Sequence, residues 1–139
     1  MKDRKQLILA LRPNIESINK GLNTKEIEVF QNEVLRPILK FQNKILLHSF
    51  INYARQYKGV FFKLSTQDQM DYIHQALHTN QRFRSNIAGL VIGLFTIEEY
   101  HYYSLNLSAL NKRIISMVIQ RLQTQLEQLN NGLSVEVSR

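Results

Sequence analysis

Only two prolines, Pro13 and Pro37, interrupt the chain, and no apolar/polar alternation survives for more than a few positions. A half-buried strand needs that period of two, whereas a helix needs apolar residues at spacings of three and four. The second pattern dominates. The expected fold is therefore all-α: a single-domain bundle of about five or six helices, two of them long and amphipathic. We expect a short helix plus an irregular segment over 1–23, the main bundle over 24–130 and a short tail over 131–139.

Local signals divide the helices. A first helix from about Asp3 to Leu11 should stop before Pro13. Thr24 can cap a helix running through Leu35, after which Pro37 either kinks it or opens a new one. The helix after Pro37 should continue to about Tyr57, with Gly59 in the left-handed cap conformation. Ser65 should cap the next, with Asp68 against its positive end, and Thr79 or Asn80 should begin another. Thr96 and Glu99 stand at capping-box spacing. The last helix should run from near Ser108 to about Leu129 and end at Asn131-Gly132. Projected at 100° per residue, Ile38, Leu39, Leu46, Phe50, Tyr53 and Tyr57 share one face. Leu107, Leu110, Ile114, Val118, Leu122 and Leu129 form a second stripe.

The most apolar stretch is NIAGLVIGLFTIEEYHYY, residues 86–103. Its uninterrupted part, from Ile87 to Ile97 with Thr96 inside it, is too short to cross a bilayer, so no membrane span is expected. Gly89 and Gly93 lack the spacing of a phosphate loop or dinucleotide fingerprint. Four apart on a helix, they suggest instead a surface that lets a neighbouring helix approach closely.

Cysteine is absent, which excludes disulfides, thiol catalysis and thiolate zinc sites and suits a reducing, cytoplasmic setting. The N-terminus lacks the long apolar region of a secretory signal. A net charge of +7 favours an anionic partner. Lys40, Lys44, Arg55 and Lys58, with His48, lie opposite the apolar face after Pro37. Arg82, Arg84, Lys112 and Arg113 could extend them into a phosphate-tracking surface, which would make the chain a nucleic-acid-binding protein.

Two further groups could carry chemistry. Asp71, His74 and His78 project from one helical face, and Glu98 with His101 makes a Glu-x-x-His step. Carboxylates and imidazoles at these spacings build divalent-metal sites in helical bundles, the basis for a metal-dependent enzyme. A di-iron bundle would need two such steps and two more glutamates, so no cofactor is expected. The second group is polar where apolar residues belong: Gln42, Asn43, Asn111 and Arg121. These could form either an interhelical network that fixes register or the lining of a polar pocket or interface.

The segments FQNEVLRPILKFQNKIL, RFRSN, GLFTIEEY and SALNKR together resemble a family of short bacterial proteins, chiefly from Bacteroidetes, often labelled glyoxalase. The resemblance implies a small helical domain in a bacterial cytoplasm and transfers no catalytic residue. Asparagine and glutamine number twelve each, spread through the helices rather than run together. With no nucleophile–base arrangement to propose, the leading expectation is a non-enzymatic binding or interaction protein, engaging a protein partner or a second copy of itself.

Overall fold

The computed structural model describes residues 2–13 and 26–132. The Thr24 cap, the irregular segment before it and most of the expected tail lie outside them. Every regular element among the described residues is helical, so the chain is all-α. The α-helices are α1 (Arg4–Leu11), α2 (Glu26–Phe30), α3 (Arg36–Phe41), α4 (Asn43–Gln56), α5 (Thr66–Thr79), α6 (Gln81–Ile92), α7 (Ile97–Leu105), α8 (Leu107–Gln123) and α9 (Leu126–Asn131). A π-helical turn, Gln31–Leu35, joins α2 to α3, and a 3₁₀ turn, Val60–Lys63, precedes α5. This exceeds the five or six helices expected, because two predicted long helices are each divided. No helix among the described residues is long and apolar enough to cross a membrane.

Pro37 and the Thr124–Gln125 pair account chemically for two of the breaks. A proline ring collides with the carbonyl four residues back and offers no amide. Upstream of Pro37 the chain widens into the π turn, and the Arg36 amide reaches back to the Gln31 carbonyl. The helix expected to run unbroken from Pro37 to Tyr57 then pauses at Gln42, whose backbone (φ −88°, ψ 5°) leaves the helical region. The last helix breaks at Thr124–Gln125. There the Thr124 hydroxyl and the Gln125 side-chain amide both donate to the Arg121 carbonyl, and the Gln125 backbone amide moves to Leu122. Side chains that compete for backbone acceptors commonly interrupt helices in this way.

The caps agree closely with the sequence. Asp3 and Gln6 form a capping box at α1, and Thr96 and Glu99 form one at α7. Ser65 accepts the Asp68 amide at α5, and Asn80 accepts the Phe83 amide at α6. Lys58 and Gly59 both take positive φ between α4 and the 3₁₀ turn, and Gly132 does so after α9.

The chain divides into two compact units. The first comprises residues 1–43 and 88–114. Its buried apolar side chains include Ile8, Phe30, Leu35, Ile38, Leu39, Phe95 and Leu110. Phe30 meets Phe95 edge-on at 5.5 Å and stacks on Tyr102 at 5.1 Å. Helix α1 is tied down by polar contacts: Arg12 forks onto Glu99 (2.7 and 2.5 Å) and also donates to the Leu94 carbonyl.

The second unit comprises residues 44–87 and 115–139. Phe50 lies at its aromatic centre, 5.0 Å from Phe61 and within 6.3 Å of Tyr53, Tyr72 and Phe83. Gln69 is buried there and fully engaged. Its amide donates to the Phe61 carbonyl and to Asn130, and Asn130 donates back to its oxygen.

Two expectations about surfaces need correction. Gly89 and Gly93 are both exposed, and a Cβ at Gly89 would meet no heavy atom within 4 Å. Among the described residues, then, the Gly89 position is open helix surface rather than a close helix contact. A Cβ at Gly93 would meet the Gly89 carbonyl oxygen at 3.1 Å, a contact within the segment itself. Leu107, assigned to the apolar stripe of the last helix, is half exposed because it is the first residue of α8, beyond the packed turns.

Candidate functional site

The second unit carries a cleft of about 330 Å³ between α4 and the first two turns of α6. One wall is Ser49, Asn52, Tyr53, Gln56 and Tyr57; the other is Asn80, Arg82, Phe83, Asn86 and Ile87. Helical spacing explains the lining. Positions 49, 52, 53 and 56 recur on one face of α4, with Tyr57 just past its end, and positions 82, 83, 86 and 87 recur on one face of α6. On the α6 wall Phe83 and Ile87 form the base, and on the α4 wall Tyr53 is half-buried while Tyr57 and the amides stand at the mouth. Phe83 and Ile87 are buried, whereas Asn52, Gln56, Arg82 and Asn86 are exposed.

The floor is rigid. Tyr53 and Phe83 stack with ring centroids 4.2 Å apart and 23° between planes, and Tyr57 lies 4.7 Å from Tyr53. Asn80 closes one end by two hydrogen bonds. Its carbonyl oxygen accepts the Phe83 amide and fixes the start of α6, and its amide donates to the Tyr57 hydroxyl at 3.0 Å. Tyr57 pairs with Asn80 and Tyr53 with Phe83, so the two walls run antiparallel along the cleft.

A second cleft of about 370 Å³ adjoins the first and shares Tyr53 and Tyr57 with it. Val60, Tyr72, Gln75, Ala76 and Thr79 complete its lining, which is mainly apolar. Burial, then the neighbouring Tyr53 and Tyr57, push the Tyr72 hydroxyl above its ordinary pKa, so it stays a neutral donor at physiological pH.

The chemistry of the first cleft is hydrogen bonding. Carboxamides and hydroxyls each offer both donor and acceptor capacity and do not titrate near neutrality. Arg82 is the one charged residue among the described residues of the lining. Among the described residues no protein hydrogen bond or ion pair engages the side chains of Asn52, Gln56, Asn86 or Arg82.

The residues singled out from sequence fall elsewhere, apart from Arg82. Gln42 donates to the Leu90 carbonyl at 2.7 Å, and Asn111 accepts the Tyr103 hydroxyl at 2.6 Å. Both belong to the first unit, as does Asn43, which has a polar partner of its own. Arg121 belongs to the second unit. It is also partnered, and desolvation pulls its guanidinium below the ordinary value.

The basic residues are likewise distributed. Lys40, Lys112 and Arg113 lie in the first unit, with Arg113 donating to Gln31 at 2.5 Å. Lys44, Arg55, Lys58, Arg82 and Arg84 lie in the second. On α5 the His74 and His78 rings sit 4.2 Å apart, with Asp71 taken up by Gln67. Glu98 and His101 belong to the first unit, where Glu98 pairs with Lys5 at 3.2 Å. Among the described residues no group of three or more His, Asp or Glu side chains is arranged to hold a metal ion.

The cleft amides were overlooked because Asn52, Gln56 and Asn86 look like ordinary polar positions beside an apolar face. A signal was present: carboxamides one turn apart on α4, with an Arg-x-x-x-Asn step on α6, in a chain rich in both amides. Scans against protein-family models, curated proteins and solved structures return no match, leaving the chain's own chemistry to carry the functional reading.

Proposed function

We propose that this chain is a non-enzymatic binding protein and that the amide-lined cleft between α4 and α6 receives its ligand. One observation carries the reading. Four side chains that hydrogen-bond strongly, Asn52, Gln56, Arg82 and Asn86, line the cleft without a protein partner among the described residues, above the stacked Tyr53 and Phe83 rings. Recognition sites set placed polar groups over an apolar base; here Tyr53, Phe83 and Ile87 supply that base, under a lining that is mainly polar. Its carboxamides supply no proton transfer near pH 7, so the lining suits recognition better than acid–base chemistry.

The test is ligand-induced change at the carboxamides themselves. The ¹⁵N-labelled chain would be titrated with a randomised hexapeptide pool, with adenosine monophosphate and with maltotriose. Side-chain amide resonances of Asn52, Gln56 and Asn86 would be followed in the wild type and in Asn52→Leu/Asn86→Leu. At least one probe should shift these resonances saturably in the wild type and fail to bind the variant. If none shifts them, or if a binder retains its affinity for the variant, the proposal is wrong.

A further inference from the structure

We infer that the ligand of this cleft is an extended peptide segment ending in a free carboxylate, held by the amides of α4 and α6 with Arg82 on the carboxylate. The inference rests on the binding reading above and names its ligand class.

Spacing comes first. Asn52 and Gln56 stand one turn apart on α4, as do Arg82 and Asn86 on α6, which separates each pair by about 6 Å along its helix. An extended chain presents peptide groups to the same side every second residue, about 6.6 Å apart. Each carboxamide offers an N–H donor and a C=O acceptor side by side, the complement of a backbone N–H and C=O. The α4 amides thus match successive same-side peptide groups, and Asn86 does the same from the opposite wall.

Charge decides the rest. Among the described residues the lining contains one cation, Arg82, and no carboxylate. Arg82 lies in the first turn of α6, where the helix dipole adds to its positive potential. A nucleic-acid strand would bring one phosphate per nucleotide and needs a row of cations. A peptide terminus brings a single negative charge, for which a guanidinium supplies a forked partner. Tyr53 and Phe83 are stacked on each other and Phe83 is only 7% exposed, whereas Tyr57 is half exposed, so stacking on that ring is what the adenosine monophosphate and maltotriose probes would detect. The adjoining cleft at Tyr53, Tyr57, Val60 and Tyr72 provides apolar space for a peptide side chain.

The experiment uses the full chain with two hexapeptide pools, one with free C-terminal carboxylates and one C-terminally amidated. The free-acid pool should shift the Asn52, Gln56 and Asn86 amides, with the amidated pool about tenfold weaker or more, the difference expected for a charge-assisted hydrogen bond. Arg82→Gln should remove that preference, and Arg82→Lys should restore part of it. These side chains are exposed, and retained helical circular dichroism will show that the variants fold. Equal binding of the two pools, or a preference that survives Arg82→Gln, overturns the inference. If neither pool binds while adenosine monophosphate or maltotriose does, the peptide inference fails and the binding reading stands. If no probe binds, both fail.

Discussion

The fork between Arg12 and Glu99 is where a single substitution should be felt most strongly. Both side chains are largely buried, with 10% and 16% of their surfaces exposed. Glu99 also closes the α7 capping box by accepting the Thr96 amide at 2.9 Å. In Arg12→Leu the carboxylate would stay buried with only its capping bonds, and the Leu94 carbonyl would lose its donor. Removing one partner of a buried pair costs about 3–5 kcal/mol. Glu99 keeps its capping contact, and Arg12 Nε has no partner among the described residues even in the wild type, so the lower end applies: about 3 kcal/mol. With a urea m-value of about 2 kcal/mol/M, the unfolding midpoint should fall by about 1.5 M. Arg12→Leu/Glu99→Leu should recover part of the loss, because no charge is left stranded. A single-variant loss below about 1 kcal/mol, or strictly additive losses in the double variant, would refute the assignment of the pair as a coupled, desolvated fork.

The same pair sets a pH dependence whose sign can be worked out. Burial pushes the Glu99 carboxyl upward, but hydrogen bonds from Arg12 and the Thr96 amide, with the Arg12 charge, outweigh it and leave the carboxyl below its ordinary value. A carboxyl held low in the folded state stabilises above its unfolded pKa. That contribution disappears as pH falls through the depressed folded value. Denaturation across the acid range should show a steeper loss in the wild type than in Arg12→Leu.

Other substitutions probe the remaining assignments. Gly89→Ala should stabilise by about 0.5–1 kcal/mol, read as a higher urea midpoint, since the site is helical and open; destabilisation would mean that a neighbour does pack there. Gln69→Leu should cost about 1–3 kcal/mol by orphaning the Phe61 carbonyl and Asn130, and a neutral result would show that water replaces the amide. Asn111→Leu should cost about 1 kcal/mol because the Tyr103 hydroxyl, 2.6 Å from Asn111, loses its acceptor; unchanged or improved stability would remove any structural role for that bond.

The sequence by itself determined the helical class and most helix starts. Those depend on local chemistry: an Asp, Ser, Asn or Thr oxygen meeting an orphan amide three residues on, or a glycine at positive φ. It also marked Pro37 as a disturbance. What it left open was how the chain absorbs that disturbance, because a π turn depends on hydrogen bonds redistributed over several residues. The breaks at Gln42 and at Thr124–Gln125 were invisible for a similar reason, since the amphipathic pattern continues across both.

Tertiary structure alone decided which polar residues come together. Gln42 and Asn111 looked like a shared pocket, yet each satisfies a different partner, a backbone carbonyl in one case and a tyrosine hydroxyl in the other. Asn52, Gln56 and Asn86 looked like solvent-facing residues, and only the pairing of α4 with α6 brings them to one cleft. Gly89 shows the same limit from the other side. Its spacing to Gly93 permits a close neighbour, but permission is a property of one helix, whereas contact requires a second helix to arrive. Caps and periodicity are local and can be read along the chain; a binding site forms where two faces meet, and their meeting is encoded across the whole fold.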